Sequence, residues 1–301
     1  MLILHIDTGA GMRGGQWQAL YLLRGLAASG IGVRLLAPAN SPLLQAALAQ
    51  HLDARPLGLR ALFKAASGVD LIHAHDAHAH TLALFTSKPL VVSRRVAYPV
   101  GRSLASKWKY ARAAHFIAVS ECVRRVLLDA GVDSGRISLV YDGVAIPPAF
   151  EGVKLAGRTR VLALDSSDPG KGKALLEQVA ALRNVPISFS GNLTRDLPEA
   201  ALFVYITNLE GLGSAALLAM AYGVPVIASE VGGLPEIVKD GETGLLTSNQ
   251  PTQIAGAIGR LLSDRQLAVR LATRARARVE KDFSIDRMVR GTLRVYERIL
   301  A

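Results

Sequence analysis

Residues 208–246 read NLEGLGSAALLAMAYGVPVIASEVGGLPEIVKDGETGLL. An apolar run at 202–206 leads into Glu210-Gly211-Leu212-Gly213-Ser214. A helix of small residues is expected from there to Tyr222, then a strand at 224–228. Gly232-Gly233-Leu234-Pro235-Glu236 opens a further helix. The order is strand, glycine turn, helix, given twice. Glycines at a strand-to-helix turn let the backbone come close to a ligand. The N–H groups of Gly213, Ser214 and Ala215 would then point at an anion with the helix dipole behind them. The stretch reads as a holder for phosphate or diphosphate.

The same alternation extends in both directions. Strands are expected at 2–6, 33–37, 70–75, 89–93, 116–119 and 136–141, with helices at 16–29 and 43–51 and others between. After Asp142-Gly143-Val144 and the proline linker Ile146-Pro147-Pro148 the pattern restarts. It gives a strand at 160–164, a helix at 173–182, a strand at 186–190, then the stretch quoted above. Helices at 251–262, 265–281 and 285–300 close the chain. Short apolar strands alternating with helices imply parallel sheets covered on both faces. An α/β protein of two Rossmann-like domains follows, with ligands expected in a central cleft facing the carboxyl ends of the strands. The domains are drawn as 1–147, 154–283 and a C-terminal helix at 284–301.

The chain has 301 residues, half of them apolar, with a formal net charge of +11. That length suffices for two domains. The basic balance favours anionic partners such as acidic headgroups or phosphorylated substrates, beside the plainer reading of a solvated basic surface. Nucleic-acid binding would rest on charge alone and is not expected. Cys122 is the only cysteine, so no disulfide forms within the chain, which suits a reducing compartment. Residues 1–6 are apolar but interrupted by His5 and read as a first strand, not as a signal peptide. The uncharged run at 211–229 is broken by Gly223-Val224-Pro225 and is not a membrane span. A soluble, cytoplasmic protein is expected, with at most peripheral contact with the inner face of an acidic membrane.

Gly211-x-Gly213-x-x-Ala216 followed by Glu230 also fits a dinucleotide fingerprint, which would make a nicotinamide oxidoreductase. The longer string resembles the donor-site segment of the retaining family 4 glycosyltransferases of the GT-B fold. Members read E-G-F-G-x-x-x-L-E-A-M-A-x-G-x-P-V-I-A-S, then G-G-x-x-E-x-V and D-G-x-x-G-x-L. The likeness continues in Ile117-Ala118-Val119-Ser120-Glu121 and in Arg136-Ile137 through Asp142-Gly143-Val144. It covers nearly the whole chain, although members usually run longer. The shortfall falls between Asn184 and Leu209, so the C-terminal domain looks trimmed.

The resemblance implies a metal-free, cofactor-free enzyme that moves a sugar from a nucleoside-diphosphate sugar, with retention, to a cell-envelope glycan or lipid-linked acceptor, as in lipopolysaccharide or polysaccharide biosynthesis. It assigns roles residue by residue. Glu210 addresses the transferred sugar. So does His75, from D-V-V-H-x-H matched at residues 70–75. Lys171, of Lys171-Gly172, pairs with the diphosphate. The loop Arg13-Gly14-Gly15 meets donor and acceptor, and its arginine also offers a forked phosphate contact in its own right. Gly191, Gly211, Leu212, Gly213, Ser214 and Ala215 line the donor site. Arg94 and Arg95, with the basic aromatic segment that follows, fall on the acceptor side. The chain departs from the pattern at two places. Leu218 stands where members carry a second glutamate for the ribose. Asp165 and Ser166 stand where they carry an arginine beside the lysine. These losses motivate the alternative of a non-catalytic binding subunit that needs an active partner.

His73, His75, His78 and His80 crowd one strand end, and His73 and His75 share a face. Imidazoles at this density can bind a transition metal. With Asp76 the only close carboxylate and no cysteine near, no metal is expected, and His78 and His80 read as surface or cap residues.

Overall fold

The computed structural model describes residues 1–147, 152, 153, 155, 157–183 and 185–301. Pro148 of the expected linker, Lys154 at the expected start of the second domain and Asn184 lie outside the described residues. The chain forms two units, Met1–Gly143 with Ile285–Ala301, and Val144–Ser284.

In the first unit the elements run β1 (Leu2–Ile6), α1 (Gly14–Ala28), β2 (Gly32–Ala37), α2 (Pro42–Ala49), β3 (Asp53–Pro56), α3 (Leu59–Ser67) and β4 (Leu71–Ala74). They continue with α4 (Ala77–Ala83), β5 (Leu90–Arg94), α5 (Leu104–Arg112), β6 (His115–Ala118), α6 (Glu121–Asp129) and β7 (Ile137–Leu139). The seven strands pair in parallel in the order β3-β2-β1-β4-β5-β6-β7. The sheet is wound outward from β1 in both directions, so its order reverses between β1 and β4, the place where sheets of this kind bind ligands at the strands' carboxyl ends. The short β3 was not expected from sequence. Its DARP is polar and mostly exposed, and its pairing with β2 rather than an apolar period makes it a strand.

The second unit holds β8 (Arg160–Leu164), α7 (Lys173–Arg183), β9 (Ile187–Ser190), α8 (Leu193–Asp196), β10 (Ala200–Tyr205), α9 (Ser214–Ala221) and β11 (Val226–Ser229). It ends with α10 (Leu234–Ile237), β12 (Leu245–Thr247), α11 (Pro251–Ser263) and α12 (Arg265–Asp282). Its five strands are parallel in the order β12-β11-β10-β8-β9. Every residue of β10 is buried, as the central strand of a doubly covered sheet requires. The helix expected after Gly233 is a single turn, α10, because Val238 turns extended after it.

The last helix, α13 (Ile285–Leu300), returns to the first unit, so it is not a separate appendage. Its Met288, Val289, Val295 and Tyr296 join the core formed by α1 and the sheet. Gly25 on α1 faces Val289 so closely that a Cβ there would lie 2.3 Å from Val289 Cγ2. The first unit's first segment therefore ends at Gly143, not at 147 as drawn from the prolines.

Candidate functional site

Two clusters sit at strand carboxyl ends, one in each unit. In the second unit, β10 ends at Tyr205 and the chain turns through 206–213 into α9. This loop is knitted from several sides. Thr207 Oγ1 lies within hydrogen-bond distance of the Gly170 and Leu209 carbonyls, which share its one proton, and Thr207 N–H donates to Ser229 Oγ. Asn249 Nδ2 donates to the Thr207 carbonyl. Ser229 and Asn249 went unnoticed in the sequence, where nothing marks them as partners of a loop so far away.

Glycines let neighbouring turns nest. Gly232 has φ +58°, and a Cβ there would lie 2.0 Å from the Glu210 carbonyl oxygen. Gly233 N–H donates to that same oxygen at 3.0 Å. The Gly232-Gly233 pair thus backs the Glu210 loop.

On this loop Lys171 and Glu210 meet, with Nζ 2.6 Å from Oε2. The Tyr205 hydroxyl donates to the same Oε2 at 2.5 Å, and Lys171 donates to that hydroxyl at 3.1 Å. Gly211 N–H donates to Oε1 at 3.0 Å. Burial, then the neighbouring Glu210 charge, pushes the Tyr205 phenol well above its usual range. It therefore stays protonated and donates. Tyr205 was missed in the sequence because a tyrosine in an apolar run reads as core.

Gly213 is left-handed and no side chain caps the first turn of α9. Ser214, Ala215 and Leu218 are the partly open positions of that helix, and they share one face at helical spacing. Leu212 is buried, so it offers a ligand only its backbone, and Gly191 is exposed just beyond β9. Asp165 is held 2.8 Å from Lys173, so its charge is matched rather than left facing a phosphate.

In the first unit, His5 of β1, His73 of β4 and His75 just beyond β4 form a buried group. Arg95 links them to Asp142, with Nε 3.1 Å from Oδ1 and Nη1 3.2 Å from His75 Nδ1. A guanidinium only donates, so His75 Nδ1 must accept and its proton sits on Nε2. That proton is given to His5 Nδ1, 2.9 Å away. His5 is left with its proton on Nε2, which has no partner among the described residues. His73 is occupied on both sides, by Tyr296 at 2.5 Å and Ser93 at 2.8 Å.

Burial first, then the neighbouring cations and imidazoles, drives all three pKa values down, that of His5 to about 3. Their nitrogens lie within 4.8 Å of one another. The set does not fit a metal, because His73 has no free nitrogen, the His5 and His75 rings stack at 12° and Arg95 brings a positive charge. His78 and His80 are not part of this group, and His5 takes a place in it that was not anticipated. His80 is buried, not a surface residue, and bonds the Lys109 carbonyl.

The loop Asp7–Gln16 packs beside this row. Asp7 accepts from Gln16 and Gly9, and Asp76 accepts from Thr8 and caps α4. Arg13 and Gly14 are exposed, and Gly15 faces Arg95, whose Cδ would be 3.8 Å from an added Cβ. Arg94 bonds the Tyr110 hydroxyl through Nη1 and the Tyr98 carbonyl through Nη2, while its buried Nε has no partner among the described residues. The helix α5 buries no residue and exposes Leu104 and Trp108, with Arg112 over the indole at 5.4 Å. Among the described residues, no helix is long and apolar enough to cross a membrane.

Comparison with known proteins fits this arrangement. Residues 12–146 match the family described as Glycosyltransferase Family 4, and residues 173–278 match Glycosyl transferases group 1. An α-maltose-1-phosphate synthase of Mycolicibacterium smegmatis is 36% identical over 112 residues, 35% of this chain and 29% of the relative. A D-inositol 3-phosphate glycosyltransferase of Acidothermus cellulolyticus is 43% identical over 103 residues, 34% of this chain and 22% of the relative. The matched segments thus span under a third of these relatives' length.

Among solved structures, the Anabaena protein HepE in complex with UDP superposes with a TM-score of 0.84 at 17% identity, covering 99% of this chain and 100% of that one. Sucrose-phosphate synthase from Thermosynechococcus elongatus does so with a TM-score of 0.78 at 19% identity, over 99% and 98%. These likenesses give the fold, GT-B. By fold and by family, the chain belongs to the family 4-like GT-B glycosyltransferases.

Proposed function

We propose that this protein moves a sugar from a nucleoside-diphosphate sugar to a cell-envelope glycan or lipid-linked acceptor, with retention at the anomeric carbon. The observation that carries the reading is the Lys171–Glu210 contact on the loop that enters the uncapped N-terminus of α9. An ammonium and a row of unspent N–H groups suit a leaving diphosphate, whose charge grows as the glycosidic C–O bond breaks. Glu210 would take hydroxyls of the transferred sugar. The acceptor oxygen attacks the anomeric carbon from the face the diphosphate leaves, and its proton passes to that leaving group. Support for a nucleotide-sugar donor comes from HepE, solved with UDP and with UDP-glucose, and from the sugar-transferring relatives.

No metal step is needed, since Lys171 and the α9 amides supply the positive field. Turnover should survive a chelator. Stoichiometric zinc whose removal abolishes activity would overturn this. The exposed Leu104 and Trp108 among the cations of α5 suit peripheral contact with an anionic membrane at the cytoplasmic face.

A second reading, a binding subunit without catalysis, is favoured by Leu218 on the open face of α9, where no carboxylate is available for a ribose. Thermal unfolding with UDP, GDP, ADP and CMP separates the two. A donor site should give stabilisation by one nucleotide, of about 2.7 kcal/mol at a hundredfold excess over Kd. A flat response to all four removes the donor site. Stabilisation without turnover of any matching sugar nucleotide leaves the binding subunit.

A further inference from the structure

The Lys171 ammonium is turned toward Glu210, 2.6 Å from the carboxylate, so a diphosphate has to compete with that carboxylate for it. When it turns to a phosphate, Glu210 Oε2 loses its cation at a site where its side chain is only 15% exposed. A partly buried carboxylate oxygen left without a donor is costly. We propose that Tyr205 is a positioning residue of the donor site, whose hydroxyl holds Glu210 in place when Lys171 moves to the diphosphate. This deepens the glycosyltransferase reading and rests on it.

The geometry meets each requirement. The hydroxyl has one proton, and it is 2.5 Å from Glu210 Oε2. Toward Lys171, at 3.1 Å, the same oxygen can only accept, since an ammonium has only donors. Losing Lys171 therefore costs the phenol an incoming bond and leaves its outgoing one intact. The ring is buried at the end of β10 and stacks on Phe203 at 6.0 Å, so the hydroxyl is delivered by a rigid strand. Gly211 N–H keeps Oε1, so both carboxylate oxygens retain a donor throughout. Lys171 also lies 5.5 Å from the ring centroid, a contact that phenylalanine preserves. Removing the hydroxyl alone thus isolates its bond to Glu210.

The test is a double-substitution cycle of wild type, Tyr205→Phe, Glu210→Gln and the double variant. Affinity for the nucleoside diphosphate that binds wild type is read by calorimetry, and folding is checked by circular dichroism. Tyr205→Phe should raise Kd about tenfold, because releasing Lys171 now strips Glu210. In the Glu210→Gln background, with no charge to strip, the same change should move Kd less than twofold. Equal effects in both backgrounds would show a merely structural tyrosine and overturn the proposal. If wild type binds none of the nucleoside diphosphates, the glycosyltransferase reading itself fails. If it binds and the cycle is additive, only the role of Tyr205 falls.

Discussion

Under the proposed function, Lys171 and Glu210 answer to different parts of one ligand, and their substitutions should separate. Lys171→Ala removes a charge-assisted contact to phosphate, worth about 1–3 kcal/mol. Nucleotide affinity should fall roughly fivefold to 150-fold, and calorimetry showing no change would take Lys171 out of the site. Glu210→Ala removes a contact that strengthens as the sugar becomes cationic, so the loss should appear in kcat, with nucleotide affinity kept or raised because Lys171 is released from its ion pair. Wild-type turnover by that variant would sink the assignment. His75 differs in kind. Both ring nitrogens are engaged, by Arg95 and His5, so its contribution passes through a hydrogen-bonded row fixed by Asp142.

At the scale of elements, the two glycine turns depend on each other. Gly232 is left-handed, and a Cβ added there would lie 2.0 Å from the Glu210 carbonyl oxygen. Gly232→Ala should combine backbone strain of about 1–3 kcal/mol with a collision at the Glu210 carbonyl. Stability measured by urea unfolding should fall by at least about 2 kcal/mol, accompanied by weaker nucleotide binding. A loss of stability without weaker binding would mean that the two turns are not coupled. On α9, Leu218→Glu places a carboxylate on the open face beside Ser214 and Ala215, and should tighten nucleotide binding through the ribose hydroxyls. Unchanged affinity would mean that this face does not meet the ribose. The contact of α1 with α13 has its own check. Alanine at Gly25 would ordinarily favour a helix by about 1 kcal/mol. With stiff, buried Val289 at 2.3 Å the sign should reverse, to a net loss of about 1–2 kcal/mol in the same unfolding experiment.

Over the whole molecule, buried histidines set the response to acid. His5, His73 and His75 have depressed pKa values when folded, as do His80 and His115, each to about 4. A depressed histidine leaves the folded state proton-poor while the unfolded chain protonates near its usual value of about 6.5. Stability is therefore full above that pH and lost as pH falls below it, by up to about 1.4 kcal/mol per pH unit for each fully buried histidine. Asp7, pushed up by burial, has the opposite sign and recovers part of the loss only once pH falls toward the carboxylate range. Melting temperature should drop steeply between about pH 6 and pH 4, and His5→Asn should flatten the drop. A profile level across that range would show that the imidazole row is open to protons when folded.

The sequence by itself determined the parallel α/β layout, the family and the glycine turn before α9. These depend on local period, on turn chemistry and on one long ordered motif. The structure alone decided which distant residues share a contact. Tyr205 reads as core until Lys171, 34 positions earlier in the chain, is seen against its hydroxyl. His5 joins His73 only because β1 pairs with β4. Gly232 is required by the close approach of the Glu210 loop, whose carbonyl oxygen would lie 2.0 Å from a Cβ there. The last helix belongs to the first unit because its apolar face completes the core around α1, a fact of packing that no linker composition could announce. Sequence patterns record what each segment can form, and only the folded backbone brings a donor within 3 Å of its acceptor.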